Sequence, residues 1–97
     1  MKKIYHVYMM TNKYNTVLYT GMTGFIAERG WQHKQKAIAG FTKKYNADKM
    51  VYFEEFANVH DAIDREKQLK GWTRKKKEAL INKVNPEWKD VYTEAFR

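Results

Sequence analysis

Five polar side chains in this sequence have types and spacings that suit chemistry on a phosphate ester. Glu66 falls in the apolar stripe of a helix, where an ionised carboxylate is unfavourable unless a cation or hydrogen bonds compensate it. Arg29 and His33 are four residues apart and therefore share one helical face. Tyr8 and Tyr19 fall in two neighbouring segments of strand composition. Phosphodiester hydrolysis needs an activated water, compensation of charge on the phosphoryl oxygens and help for the leaving alkoxide.

Each of these side-chain types suits one part of that reaction. A glutamate can hold a hard divalent cation that keeps most of its waters, as Mg²⁺ prefers. An arginine supplies a planar cationic fork for the phosphoryl oxygens. A tyrosine or a histidine can move a proton if its pKa is drawn towards neutrality. A single carboxylate restricts the hypothesis to a site with one metal ion.

Taken one at a time, the same residues have ordinary structural explanations. An arginine can extend past an apolar stripe to reach solvent, a core histidine can be satisfied by hydrogen bonds, and a glutamate can pair with an arginine. Their occurrence together in one small basic chain favours a polar pocket.

The secondary structure that must position these side chains follows from composition and spacing. Strands are predicted over 4–10, 17–20 and 50–53, helices over 25–37, from 58 to about 70, over 74–84 and in the tail, and a loop over 38–47. Asn58 and Thr73 suit helix N-caps, and Gly71 suits a helix end. A hairpin of the first two strands brings Tyr8 near Tyr19. The order β-β-α-β-α-α predicts one small α+β domain over residues 1–97.

The charge of the chain favours a polyanionic partner. Nineteen Lys and Arg against eleven Asp and Glu leave a net charge of +8, which on a folded, aromatic-rich domain is typical of nucleic-acid binding. A charge that only aids solubility, or an anionic membrane surface, is the alternative. The basic residues expected to contact phosphates are Lys43, Lys44, Lys70, Arg74, Lys75, Lys76 and Lys77.

Several protein classes are excluded by what the sequence lacks. It contains no cysteine and only three histidines, which excludes a disulfide scaffold and thiol chemistry and argues against a structural zinc site. No apolar run approaches the ~20 residues of a membrane span, and the N-terminus lacks an apolar signal segment. We expect a cytoplasmic chain with no membrane partner.

The ordered motifs resemble those of the GIY-YIG nuclease superfamily. The motifs are His6-Val7-Tyr8, Tyr19-Thr20-Gly21, Arg29 with His33, and Glu66; further matching stretches are 40–46, 65–72 and 85–88. The likeness extends from about Ile4 to Asp90. It is strongest to small stand-alone bacterial members, which are related to the nuclease module of the excision-repair nuclease subunit.

The resemblance implies a three-stranded antiparallel sheet flanked by helices. It implies that Tyr8 and Tyr19 are the paired motif tyrosines, one of which acts on the attacking water. Arg29 would stabilise the phosphoryl charge, and His33 would assist proton transfer or position the phosphate. Glu66 would bind the one divalent ion, Mg²⁺ or Mn²⁺.

The expected function is therefore metal-dependent endonucleolytic hydrolysis of DNA in repair or processing, with RNA as a possible substrate. Asn85 matches a late polar position of some superfamily members. Two alternatives stay open: a nucleic-acid-binding module of the same fold with weak or lost cleavage, and an interaction domain for an acidic protein.

The sequence departs from the superfamily pattern before Arg29. Gly24-Phe25-Ile26-Ala27-Glu28 stands where relatives commonly have an Asp-Leu start and a second basic residue. Glu28 thus places a negative charge where a cation often contacts phosphate. Gly30 costs a helix ~1 kcal/mol relative to alanine, which suggests a close approach to the backbone there.

Overall fold

The computed structural model describes residues 3–36 and 40–96, which form three strands and five helices. The strands are β1 Tyr5–Thr11, β2 Leu18–Thr23 and β3 Lys49–Phe56. The helices are α1 Ile26–Lys34, α2 Phe41–Lys44, α3 Val59–Lys70, α4 Arg74–Val84 and α5 Tyr92–Phe96. None of the helices in these ranges is long and apolar enough to span a bilayer.

The strands form one antiparallel sheet in the order β2-β1-β3. Tyr8 in the central strand is paired with Gly21 on one side and Phe53 on the other. A register irregularity between Met9 and Met10 interrupts the pairing with β3. The α+β class and the antiparallel three-stranded sheet expected from the sequence are confirmed.

The side chains of β1 alternate between two cores, one on each face of the sheet. Val7 and Met9 belong to the core on the face of α3 and α4, together with Ala62, Leu69, Ile81 and Trp88. Tyr8 and Met10 belong to the core on the face of α1 and α5, together with Ile26, Ala47, Met50 and Tyr92. Tyr8 is therefore placed on the α1 side of the sheet.

The short helix α5 fixes the position of α1. A Cβ atom at Gly30 would lie 2.2 Å from Cε1 of Tyr92, so only glycine lets this ring lie on the helix. The Tyr92 hydroxyl donates to the carbonyl of Ala27, and Lys34 forms an ion pair with Asp90. The close approach expected at Gly30 is thus made by Tyr92.

Both N-caps expected from the sequence are confirmed. The Asn58 side chain accepts hydrogen bonds from the amides of His60 and Asp61, and Thr73 accepts one from the amide of Lys76. These bonds satisfy amides that have no partner within the helix. The Asn58 cap sets the start of α3, which carries Glu66, and the Thr73 cap sets the start of α4.

Other boundaries differ from the prediction. Strand β3 runs to Phe56 because its outer half still pairs with β1, and a short helix, Phe41–Lys44, lies within the predicted loop. Helix α1 ends at Lys34; residue 37, the last of its predicted span, and residues 38–39 of the predicted loop lie outside the described ranges. Gly71 ends α3 with a right-handed φ of −81°, so its freedom to adopt positive φ is not used.

Candidate active site

Three aromatic side chains from β1, β2 and α1 form a compact cluster. The ring centroids of Tyr8 and Tyr19 are 6.3 Å apart, and His33 lies 5.5 Å from Tyr8 and 5.6 Å from Tyr19. The Tyr8 hydroxyl group and Nε2 of His33 share a hydrogen bond of 2.9 Å. The predicted proximity of the two tyrosines is confirmed, although Tyr19 pairs with Met10 and reaches Tyr8 diagonally.

Gly21 makes room for this cluster. A Cβ atom at this position would lie 2.6 Å from the Tyr8 hydroxyl oxygen and 2.9 Å from Cε2 of Tyr19. Because Tyr8 is fully buried, its ring has little space to move away. Sequence reasoning assigned Gly21 no role of its own, yet a glycine inside a strand often marks such a close approach.

The hydroxyl group of Tyr8 keeps its proton in the free protein. Burial raises the pKa of Tyr8 above its usual range, and the nearby Tyr19 and Glu66 raise it further. The positive charge and hydrogen bonding of Arg29 act in the opposite direction. Ionisation of Tyr8 therefore requires additional positive charge beyond the arginine.

His33 is neutral in the folded protein. Burial, and next the charge of Arg29, lower the pKa of His33 to about 4, and its side chain is 1% exposed. Within the described residues its Nδ1 has no hydrogen-bond partner. A neutral imidazole can accept a proton, so His33 has the form needed to relay one to or from Tyr8.

The titration of His33 makes stability depend on pH. Unfolded chains take up the histidine proton below about pH 6.5, whereas folded His33 does so only near pH 4, so the free energy of unfolding should fall as pH falls through this window. Across the whole window the free energy of unfolding should fall by about 3 kcal/mol. Chemical unfolding across the window should give a flatter profile for His33→Gln than for the parent, whereas the control His60→Gln, at an exposed position, should keep the parent profile. Equal pH profiles for the parent and His33→Gln would contradict the lowered pKa of His33 in the folded protein.

Arg29 lies on α1 at the Tyr8 face of the sheet, whereas Glu66 lies on α3, which packs on the other face; the carboxylate charge of Glu66 still acts on Tyr8. Arg29 is half-buried on α1, beside Tyr8, and Glu66 is half-buried on α3. Glu66 Oε2 lies 3.5 Å from Nζ of Lys70, its ion-pair partner. Among the described residues Arg29 pairs with no carboxylate. A structural Arg29–Glu66 bridge, the alternative considered for these two residues, is therefore absent from this part of the chain.

Glu66 suits a loosely coordinated divalent ion. No group of three or more His, Cys, Asp or Glu side chains able to hold a metal occurs in the described ranges, which does not match a closed Zn²⁺ or Ca²⁺ site. Mg²⁺ often binds through one or two carboxylates, several waters and substrate phosphates. A lone half-buried glutamate fits that pattern.

Two further carboxylates, those of Glu54 and Glu55, have side-chain partners of their own. Glu54 accepts two hydrogen bonds of 2.9 Å from Arg65 and one from Tyr52. Although burial opposes the shift, these bonds hold the pKa of Glu54 below its usual range. Glu55 pairs with His6 at 3.3 Å.

The basic residues expected to contact phosphate fall into two groups. Lys43 and Lys44 are exposed on α2, and Lys70 lies with residues 74–77 at the junction of α3 and α4. Within the second group Lys70 lies beside Glu66, since the two form an ion pair.

Positive charge is concentrated at the α3–α4 junction. Burial, followed by the charges of Arg74 and Lys70, lowers the pKa of Lys77. Arg74 also has a structural role, since it donates to the carbonyls of Thr16 and Asn15 and so holds the β1–β2 turn.

Asn85 has its polar atoms engaged with the backbone. Its Nδ2 donates to the carbonyls of Val51 and Lys89, and its Oδ1 accepts from the Lys89 amide. These bonds hold the turn after α4 against β3.

Comparison with known proteins identifies the family of this chain. The family model described as the GIY-YIG catalytic domain matches residues 4–79. The chain belongs to the GIY-YIG family. This superfamily consists of nucleases that generally depend on a divalent metal ion.

Similar small proteins occur in several prokaryotes. The GIY-YIG chain is 30% identical to a UPF0213 protein from Bacillus pumilus over 90% of its own length and 89% of that protein. It is 36% identical to a UPF0213 protein from Clostridium perfringens, over 79% and 82% of the two chains. The solution NMR structure of a UPF0213 protein from Bacillus halodurans aligns with a TM-score of 0.58 at 22% identity, covering 97% of this chain and 99% of that one. This likeness shows a shared fold.

Proposed function

We propose that this GIY-YIG domain is a metal-dependent endonuclease that hydrolyses phosphodiester bonds in DNA, in repair or processing. The observation that supports the proposal is the buried hydrogen bond between Tyr8 and His33, with the tilted ring of Tyr19 packed beside both and Arg29 next to the Tyr8 hydroxyl. Groups that can move a proton and a group that can bind phosphoryl oxygens thus lie within one small site.

Arg29 would bind the scissile phosphate and compensate the charge that develops on its oxygens. His33 Nε2 would accept the proton of Tyr8, and the phenolate so formed would take a proton from the attacking water. As the hydroxide bonds to phosphorus, the bond from phosphorus to the leaving oxygen would break, and His33 would give its proton to that oxygen. In the free protein burial keeps Tyr8 and His33 neutral and opposes the proton transfer between them. A divalent ion held by Glu66 would supply the added positive charge that lowers the pKa of Tyr8 and polarises the phosphate.

The direct test is incubation of the purified protein with end-labelled single-stranded, duplex and branched DNA, and with RNA, in Mg²⁺, Mn²⁺ or EDTA. We expect internal cleavage of at least one DNA substrate in Mg²⁺ or Mn²⁺ and none in EDTA. Binding without cleavage in any metal would favour the binding module, and neither binding nor cleavage would favour a protein-interaction domain.

Binding should be electrostatic and only weakly selective for sequence. If about four of the basic residues at α2 and at the α3–α4 junction engage phosphates, log K should fall with log salt with a slope near −3.6, about 0.9 for each neutralised phosphate. Fluorescence anisotropy with one labelled oligonucleotide over a salt series measures this slope. An affinity that does not change between low and moderate salt would contradict nucleic-acid binding.

A further inference from the structure

Phe25 occupies the N-cap position of α1 without forming a cap. Its side chain makes no capping hydrogen bond, and its own amide donates to Oγ1 of Thr23. Helices prefer Ser, Thr, Asp or Asn at this position because their side chains accept hydrogen bonds from the first amides. The ring is also 63% exposed. Neither capping nor burial therefore accounts for a phenylalanine here.

A cation accompanies the exposed ring. Nζ of Lys3 lies 3.4 Å from the centroid of Phe25 and 5.9 Å from that of Tyr5. A Cβ atom at Gly24 would meet Cε of Lys3 at 2.5 Å, so the glycine before Phe25 leaves space for the lysine side chain. The ammonium thus covers one face of the ring, and the pair offers the other face with a positive charge behind it.

Phe25 precedes by one helical turn the residue that would hold the scissile phosphate. The amide of Arg29 donates to the carbonyl of Phe25 at 2.9 Å, which places the two residues one helical turn apart. Turns of an α-helix are about 5.4 Å apart, and residues four apart share one face. His33 lies a further turn along the same face, so Phe25 marks the opposite end of the site.

We propose that Phe25 is a stacking platform for an unpaired base next to the scissile phosphate, with Lys3 beside the adjoining phosphate. Aromatic side chains bind bases of either strand polarity and any sequence, because every base has a π-face. A base in a continuous duplex is covered by its neighbours and can stack on a protein ring only after it is unstacked, which costs free energy. The inference rests on the proposed function and narrows the substrate class to nucleic acid that is unpaired near the cleavage site, as in single strands or branches.

Binding in EDTA, where cleavage is blocked, tests the proposal. The probes are a labelled single-stranded DNA, a strand of the same length made of abasic residues, and a duplex. Phe25→Ala should weaken binding of the base-carrying strand on the order of 10-fold or more and leave binding of the abasic strand and the duplex within about two-fold of the parent. The matched control is Tyr14→Ala, which removes a 75% exposed ring that also has a lysine nearby, but on the β1–β2 turn; it should bind all three probes like the parent.

A second variant separates binding from folding. Phe25→Asn supplies a neutral capping side chain, so it should raise the melting temperature by a few degrees while losing affinity for the base-carrying strand as Phe25→Ala does. Equal affinity of the parent and both variants for the base-carrying strand would overturn the stacking platform but not the nuclease. Failure of the parent to bind any of the three probes would overturn the proposed function together with this inference.

Discussion

Arg29→Ala is expected to lower the single-turnover cleavage rate about 100-fold or more, while DNA affinity changes only a few-fold. A guanidinium beside the scissile phosphate contributes most when charge builds on the phosphoryl oxygens in the transition state, and less in the ground state. Arg29→Lys should restore little activity, because an ammonium group lacks the planar two-pronged donor geometry. Rates measured at saturating protein, beside equilibrium binding in EDTA, separate the two effects.

The melting temperature of Arg29→Ala provides the control for folding. If the arginine neutralised a buried carboxylate, its removal would cost about 3–5 kcal/mol and reduce every activity in proportion. Glu66 instead pairs with Lys70, and Arg29 makes no ion pair within the described residues. We therefore expect a melting temperature close to that of the parent. A large drop, with binding and cleavage lost together, would contradict the catalytic role.

Glu66→Gln is expected to abolish cleavage in both Mg²⁺ and Mn²⁺ and to preserve DNA binding. The substitution keeps the shape of the side chain and removes the charge that a hard divalent ion requires. Cleavage and anisotropy assays of the same preparation measure both quantities. The matched control is Glu87→Gln, which neutralises an exposed glutamate paired with Lys89 and should cleave at the parent's rate.

Removing the charge of Glu66 should not lower the thermal stability of the protein. The carboxylate is half-buried, and its pair with the more exposed Lys70 contributes little, as such pairs usually do. The melting temperature of Glu66→Gln should equal or exceed that of the parent. Cleavage by Glu66→Gln at the parent's rate would disprove the metal assignment and direct attention to Glu54 and Glu55, although Glu54 is paired with Arg65 and Glu55 lies against His6.

Local chemistry made parts of the fold predictable from the sequence. Asn58 and Thr73 were identified as N-caps because their side chains suit the first amides of a helix, and the structure contains both caps. The register of the β1–β2 hairpin was harder to predict from the sequence. Tyr8 pairs with Gly21, so the strands are shifted by two residues from a fold in which Tyr8 and Tyr19 face each other. A two-residue shift keeps every side chain on the same face, and the hydrophobic pattern therefore does not distinguish the two registers.

The environment of the site depends on contacts between residues that are distant in sequence. The unusual glycine in α1 indicated that some group approaches the helix, but no local pattern identified Tyr92, which lies 62 positions later in the chain. Likewise, the neutral state of His33 follows from burial against Tyr8 and from the charge of Arg29. Sequence motifs indicated which residues belong to the site, whereas their protonation states required the assembled structure.

Single-turnover cleavage by Tyr8→Phe, compared with the parent at the same saturating protein concentration, tests the central claim most directly. The substitution removes one oxygen atom, and with it the hydrogen bond to His33, from a ring that is otherwise fully buried. Hydrolysis through the Tyr8–His33 pair predicts a rate at least about 100-fold below the parent's, with DNA affinity and circular dichroism unchanged. Cleavage by Tyr8→Phe at the parent's rate would contradict the account.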